Sequence, residues 1–161
     1  MKSLLLGATF LAAMTSTAAI ADTPTPKEFV GKAGASDTFE IDSAKLMATS
    51  KNHAISAFAT QMITDHAKST RLVQSAARAD HVRLSKPSLT VGQRTDLTAL
   101  KAVPNGKTRD DLYVKQQKSA HDDALALMQD YAANGTARHL KMTAGKIAPV
   151  VQKHQAMLST M

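Results

Sequence analysis

The stretch that decides the fold is residues 55–80, ISAFATQMITDHAKSTRLVQSAARAD. Apolar or small side chains recur in it at alternating steps of four and three, which is the spacing of the buried face of a bundle helix. That buried row reads Ile55, Ala59, Met62, His66, Ser69, Val73 and Ala76. His66 therefore occupies a core position, where an imidazole needs a hydrogen-bond partner or a bound ligand because leaving it unsatisfied costs free energy.

A first long helix is predicted before this stretch, from Pro26 to about Ser50. Thr25 and Glu28 have the spacing of a capping box, with proline at the first helical position. Glycines in its first turns favour a break near residues 34–36. The predicted buried row is Val30, Ala33, Asp37, Glu40, Ala44 and Met47.

The second half of the chain is predicted to form a second pair of long helices. The helix of residues 55–80 is expected to end near His81, followed by a connection and a short helix over residues 91–102. A long helix over about 109–133 then begins at a second capping box, Thr108 with Asp111. Its predicted buried row is Asp110, Val114, Gln117, His121, Ala124, Met128 and Tyr131.

The final helix is expected to begin at a Thr136 cap. Pro149 should kink it, since proline removes a backbone donor and crowds the preceding turn. Two helix pairs joined by a longer crossing predict an all-α, antiparallel four-helix bundle with an extra short helix in the crossover connection. The buried row of the final helix is predicted as Leu140, Ala144, Ile147, Val151, His154, Leu158 and Met161.

The N-terminus has the pattern of a signal peptide over residues 1–21. Lys2 precedes an apolar run, and Ala19-Ile20-Ala21 forms a cleavage motif. The pattern predicts an exported, most simply periplasmic, protein whose mature chain, residues 22–161, is a single helical domain without an integral membrane segment. The chain has no cysteine, so packing must hold this fold without disulfides.

The net charge of +7 does not indicate nucleic-acid binding. The 20 basic residues are scattered among 13 acidic ones, and only four Phe and two Tyr are available to stack on bases. A solvated basic surface, able to meet an acidic partner in the cell envelope, is the simpler interpretation. The sequence does not predict the oligomeric state.

One ionisable residue near the middle of each long helix makes a candidate metal site: Glu40, His66, His121 and His154. Neutral imidazoles that converge with a carboxylate suit zinc, copper, iron or nickel. Additional ligands or outer partners are expected among Asp37, Asp65, Asp110 and Asp122. Met62 and Met157 would favour copper(I), although each methionine alone is simpler to explain as core filling.

The competing interpretation is that each buried histidine is satisfied by hydrogen bonds within the core. A ferroxidase-type di-iron site is disfavoured, because positions 63, 118 and 151, three residues before the histidines, hold Ile, Lys and Val instead of Glu. The sequence also has no glycine-rich phosphate loop, no G-x-S-x-G motif and no haem attachment motif. We therefore expect binding rather than catalysis, and assign no catalytic residue.

Several phrases resemble the domain-of-unknown-function 4142 family. These are Phe39-Glu40-Ile41, the Asp65-His66 pair that ends the phrase from Ala57, Asp110-x-x-Tyr113 with His121 eight residues later, and Pro149-x-x-x-x-His154. The resemblance covers almost all of the mature chain. It implies an exported bacterial protein with a ferritin-like helical bundle, and it adds Tyr113 to the residues expected around the site. It implies no biochemical role.

Together these features predict an exported bundle protein that binds a transition metal or a small ligand in its core, in metal handling or envelope stress tolerance. The alternative is a non-catalytic structural or interaction protein of the envelope without a metal site. A redox enzyme with one or two metal ions is the third and weakest hypothesis.

Overall fold

The computed structural model describes residues 23–161, which form five helices: α1 Pro26–Met47, α2 His53–Ala79, α3 Val91–Ala102, α4 Lys107–Asn134 and α5 Arg138–Leu158. No strand occurs among these residues, so the all-α prediction is confirmed. The predicted signal peptide, residues 1–21, and its cleavage site before Asp22 lie outside the described residues.

The four long helices form a square in which every neighbour is antiparallel. α1 packs against α2 and α4, and α5 packs against the same two helices. The end of α1 lies beside the start of α4, where the Ser50 hydroxyl donates to Asp110 Oδ1 at 2.7 Å. The connection from α2 to α4 therefore travels the length of the bundle, and its short helix α3 packs on α1 and α4.

The α1 helix begins as predicted but has neither the expected break nor the expected end. Thr25 and Glu28 form the capping box, with the Thr25 amide donating to Glu28 Oε2 at 2.8 Å. The helix is continuous through Gly34 and ends at Met47, three residues before Ser50. Gly34 has a packing role instead, because a Cβ there would lie 3.0 Å from Cγ of Pro87 in the crossover connection.

The two caps predicted in the second half of the chain are wrong. Thr108 lies inside α4, which begins after Gly106, whose φ of 149° favours glycine. The final helix begins after Ala137, without a side-chain cap from its own N-cap residue. Asp80, at the end of α2, caps it instead. The Asp80 carboxylate accepts hydrogen bonds from the amides of His139 at 3.0 Å and Leu140 at 2.8 Å.

The remaining boundaries lie close to the predicted ones. α2 ends at Ala79, two residues before the expected His81, and α4 begins two residues earlier and ends one residue later than expected. α5 is continuous across Pro149, whose kink stays a prediction. The predicted buried rows hold, except that Val114 is half-buried and Met161 is exposed.

The core consists of two apolar clusters with a polar layer between them. One cluster lies near the start of α1 and includes Phe29 stacked on Tyr131, with 3.9 Å between ring centroids. The other lies near the end of α1 and includes Met47, Phe58 and Leu158. The buried polar residues that the helices place between the two clusters are Asp37, Glu40, Ser43, His66, Ser69, Gln117, His121 and His154. None of the described helices is long and apolar enough to span a membrane.

Candidate metal centre

The three histidines of the polar layer come together in the middle of the bundle. His66, His121 and His154 lie on three different helices, and their residues are 5%, 0% and 1% exposed. The ring centroids are 5.4 to 5.7 Å apart. One nitrogen of each ring lies within 4.8 Å of a nitrogen of the other two. This grouping was expected from the sequence only as one histidine per helix at roughly similar heights.

His66 is oriented by a carboxylate of α1. Its Nδ1 lies 2.9 Å from Asp37 Oδ1, and the Thr70 hydroxyl donates to the other oxygen of that carboxylate at 2.9 Å. The ionised carboxylate only accepts, so Nδ1 of His66 carries the hydrogen. Nε2 of His66 is buried and has no hydrogen-bond partner among the described residues.

His121 is oriented by the backbone of its own helix. Its Nδ1 lies 2.9 Å from the carbonyl oxygen of Gln117. A carbonyl can only accept, so Nδ1 is the protonated nitrogen of the neutral ring and Nε2 carries a lone pair. That Nε2 lies 3.4 Å from Nδ1 of His154.

His154 is oriented by a carboxylate of α2. Its Nε2 lies 3.0 Å from Asp65 Oδ2, and the Gln61 amide donates to the same oxygen at 3.2 Å. Donation from Nε2 to Asp65 leaves Nδ1 with a lone pair. Asp65 was expected from the sequence as an outer partner, and the structure places it against His154.

Each ring thus has one nitrogen held by an oxygen acceptor and one nitrogen left free. The free atoms are Nε2 of His66, Nε2 of His121 and Nδ1 of His154. With both rings neutral in these tautomers, two lone pairs meet across 3.4 Å between His121 and His154, and a bound proton or cation would join the two nitrogens. Tetrahedral zinc with bonds of 2.0–2.1 Å to nitrogen separates its ligand nitrogens by about 3.3–3.4 Å. The His121–His154 pair is already at this spacing, and a nitrogen of His66 lies within 4.8 Å of both.

Burial and neighbouring charges shift the pKa values of the three rings in different directions. Burial lowers the pKa of His121 to about 3, and the positive charges of its two partner rings act in the same direction. Burial also lowers the pKa of His154, against the opposing hydrogen bond to Asp65. Burial alone would lower the pKa of His66, but Asp37 and Glu40 outweigh it and raise this pKa. Two of the three rings are therefore neutral near pH 7, the form in which imidazole binds metals.

Glu40 lies beside the histidines but outside their group of nitrogens. Its Oε1 is 3.7 Å from Nδ1 of His121, the nitrogen held by Gln117, and neither carboxylate oxygen has a hydrogen-bond partner among the described residues. Burial raises the pKa of Glu40 to about 7, against the opposing charge of His66. The position of Glu40 gives it influence on the charge of the site, while its role as a ligand stays a prediction.

A family model described as Domain of unknown function (DUF4142) matches residues 11–161. The chain belongs to this family. Comparison with the curated proteins and with the solved structures gave no match. For this DUF4142 protein, the geometry of its own residues is therefore the guide to its function.

The other predicted site residues of the DUF4142 protein lie farther from the three nitrogens or have other partners. Asp110 accepts from Ser50 at the end of the bundle, and Asp122 accepts from Gln155 on the surface. The Tyr113 hydroxyl is buried without a partner among the described residues, and Glu40 adds to the burial that raises its pKa. Met62 and Met157 belong to the apolar cluster near the end of α1.

Two interactions around the site were not expected from the sequence. The Thr70 hydroxyl holds the far oxygen of Asp37, and the Gln117 carbonyl fixes the His121 ring. Thr70 lies one turn after His66, so the helical period could have suggested it. The Gln117 contact has no sequence signal, because any residue at position 117 supplies the same carbonyl.

Proposed function

We propose that this DUF4142 protein is an exported, periplasmic protein that binds one transition-metal ion between its long helices. Its ligands are Nε2 of His66, Nε2 of His121 and Nδ1 of His154, and its role is metal handling or stress tolerance in the cell envelope. The observation that carries the proposal is the orientation of the rings, each with one nitrogen on an oxygen acceptor and the other nitrogen free toward its partners.

The hydrogen bonds from the rings to oxygen acceptors favour a metal site over a plain polar core. Histidines that bind metals donate their other ring N–H to a carboxylate or a carbonyl, which fixes the tautomer and makes the free nitrogen more basic. Asp37, Gln117 and Asp65 supply three such acceptors, one per ring. A core built only to satisfy the histidines would not leave the buried Nε2 of His66 without a partner among the described residues.

The ligand set favours zinc and copper among the metals that imidazole binds. Affinity of nitrogen sites for divalent first-row ions rises through iron and nickel to a maximum at copper, which favours copper on affinity alone. Three imidazoles also suit tetrahedral zinc with one further position, and His66, whose pKa is raised by Asp37 and Glu40 against its burial, would release its proton on binding. Because the rings are at most 5% exposed, the proposed function is to hold a small ion rather than to transform a larger substrate.

The decisive experiment is the metal content of the protein isolated from its own compartment, compared with single-site variants. The wild type should retain close to one zinc or copper ion per chain, and His66→Ala, His121→Ala and His154→Ala should each lose most of it. His53→Ala is the matched control, since His53 is exposed at the start of α2. Equal metal content in all five proteins would contradict the proposal.

A thermal unfolding experiment gives a second measurement that separates binding from adventitious surface metal. An ion that binds only the folded state stabilises it by about 2.7 kcal/mol when present at a hundredfold excess over its dissociation constant. The wild type and His53→Ala should show this stabilisation with zinc, and the three core variants should not.

The alternative function is a structural or interaction protein of the envelope. It is favoured by the internal hydrogen bonds of His66 and His154 to carboxylates, which satisfy one side of each ring, and by the net charge of +7 for an acidic partner. Under this alternative, zinc and copper leave the unfolding temperature of the wild type unchanged.

A further inference from the structure

The polar network around the three histidines reaches solvent at Asp65. The Asp65 side chain is 28% exposed, whereas the side chains of Asp37 and His154 are 5% and 1% exposed. Asp65 also holds His154 through the 3.0 Å contact described above. One carboxylate therefore contacts both a proposed ligand and the outside of the bundle.

A groove of about 310 Å³ between α2 and α5 opens onto this carboxylate. Its buried side is formed by Ser69 and Ile147, and the Ser69 hydroxyl has no hydrogen-bond partner among the described residues. Ser69 lies on the same face of α2 as His66, one turn further on. The groove therefore has the Asp65 carboxylate at its opening and the Ser69 hydroxyl on its buried side.

The outer side of the groove is formed by four exposed residues. Leu72 and Val150 are 38% and 41% exposed, and both are large apolar side chains at the surface. Lys68 and Lys146 are the exposed cationic residues of the same groove. A positive charge on each of the two helices is therefore near the path of any cation that approaches Asp65.

We propose that the groove between α2 and α5 is the route by which a divalent metal ion reaches and leaves the three histidines. Asp65 is the first carboxylate that the ion meets, and rotation of Asp65 with His154 passes it inward. Lys68 and Lys146 slow this approach electrostatically. This inference rests on the proposed function, because it assigns a path to the same site.

The two lysines should control the rate of binding more than the affinity. Charges beside a path change the association of a charged ligand by ten to a thousandfold, and salt screens the effect. They lie outside the ligand set, so they act on the ion in transit and much less on the ion once it is bound. Association and dissociation rates should then change together.

The test is stopped-flow mixing of the metal-free protein with Co²⁺, whose visible absorption reports coordination. The double variant Lys68→Glu/Lys146→Glu should associate on the order of tenfold faster than the wild type at low salt, with the difference lost at high salt. Val150→Trp narrows the groove and should slow association and dissociation alike. The matched controls are Lys115→Glu/Lys118→Glu, which changes the net charge equally at two exposed positions of α4, and Val91→Trp, exposed on α3.

The outcomes distinguish failure of the route from failure of the metal site. Unchanged kinetics in both groove variants, with normal Co²⁺ binding by the wild type, would overturn the route and leave the metal site standing. Absence of Co²⁺ binding by the wild type would overturn both. Rate changes equal to those of the two controls would also overturn the route, because they would reflect net charge or surface bulk alone.

Discussion

Asp37 Oδ1 lies 2.9 Å from Nδ1 of His66, so a carboxylate of α1 sets the orientation of a ring on α2. Thr70 holds the other oxygen of Asp37, which leaves the carboxylate little freedom to turn. The free nitrogen of His66 is directed inward only while this contact persists. The metal site is therefore prepared by residues that do not bind the ion.

Replacing Asp37 with Asn should weaken zinc binding by about ten to a hundredfold, the usual effect of removing an outer partner of a histidine ligand. The amide can present its nitrogen to His66 as well as its oxygen, and it is a weaker acceptor than a carboxylate. The measurement is the zinc dissociation constant by competition with a chromophoric chelator.

Asp42→Asn on the same helix is the control for Asp37→Asn. Asp42 has a side chain that is 44% exposed, and among the described residues its one ion pair is with the neighbouring Lys45 at 3.3 Å. The Asp42→Asn variant should bind zinc as the wild type does. Equal dissociation constants for the two Asn variants would show that Asp37 does not support the ligand.

Asp80 should contribute to stability above pH 4 and lose this contribution in acid. Burial would raise its pKa, but hydrogen bonds from the amides of Leu140 and His139 lower it below the usual 3.8. A lowered folded-state pKa means that stability is present above the unfolded pKa and is lost as pH falls through the folded one. Asp80→Ala should cost about 1–2 kcal/mol at pH 7, as for loss of a helix cap.

Denaturant unfolding of the wild type and Asp80→Ala from pH 7 to pH 2 measures this difference. The two curves of unfolding free energy should converge in acid. A constant gap across the range would mean that the ionised carboxylate is not what stabilises the start of α5.

Glu40 should destabilise the metal-free protein increasingly as pH rises from 4.5 to about 7. Burial raises its folded-state pKa from 4.5 to about 7, so in this window the folded state retains a proton that the unfolded state has lost. Glu40→Gln should therefore stabilise the protein by on the order of 1–3 kcal/mol above pH 7, with little gain below pH 4.5. Chemical unfolding at several pH values checks the trend, and a gain independent of pH would contradict it.

Two glycines of α1 make a matched pair for the packing of the crossover connection. A Cβ at Gly31 would meet nothing within 4 Å, whereas one at Gly34 would lie 3.0 Å from Pro87. Alanine stabilises a helix interior by up to about 1 kcal/mol relative to glycine. Gly31→Ala should gain most of this in thermal unfolding, and Gly34→Ala should gain none. An equal gain at both positions would show that the connection does not need the close approach.

The buried rows and the meeting of the histidines could be predicted because they follow the helical period. His66, His121 and His154 each fall on a row of apolar and small residues, and antiparallel pairing brings the rows together. Their common layer between two apolar clusters follows from the same registers. A sequence with its histidines on outward rows would have given no such prediction.

Asp37 and Asp65 were among the expected partners, but which ring each acid holds could not be predicted, because the pairing depends on side-chain length and on contacts between helices. Asp37 and Glu40 lie one turn apart on the same row, and only the structure shows that Asp37 bonds to His66 while Glu40 has no hydrogen-bond partner among the described residues. The cap of α5 comes from Asp80, about 60 residues earlier in the chain. Local rules pointed to Thr136 instead, since capping patterns consider only neighbouring residues.

X-ray absorption spectroscopy of the zinc-loaded protein tests the central claim most directly. We predict three imidazole nitrogens at about 2.0–2.1 Å from the ion, with one of them lost in His121→Ala. A zinc ion surrounded only by oxygen, or a protein that retains no zinc after dialysis, would contradict a metal site formed by these three histidines.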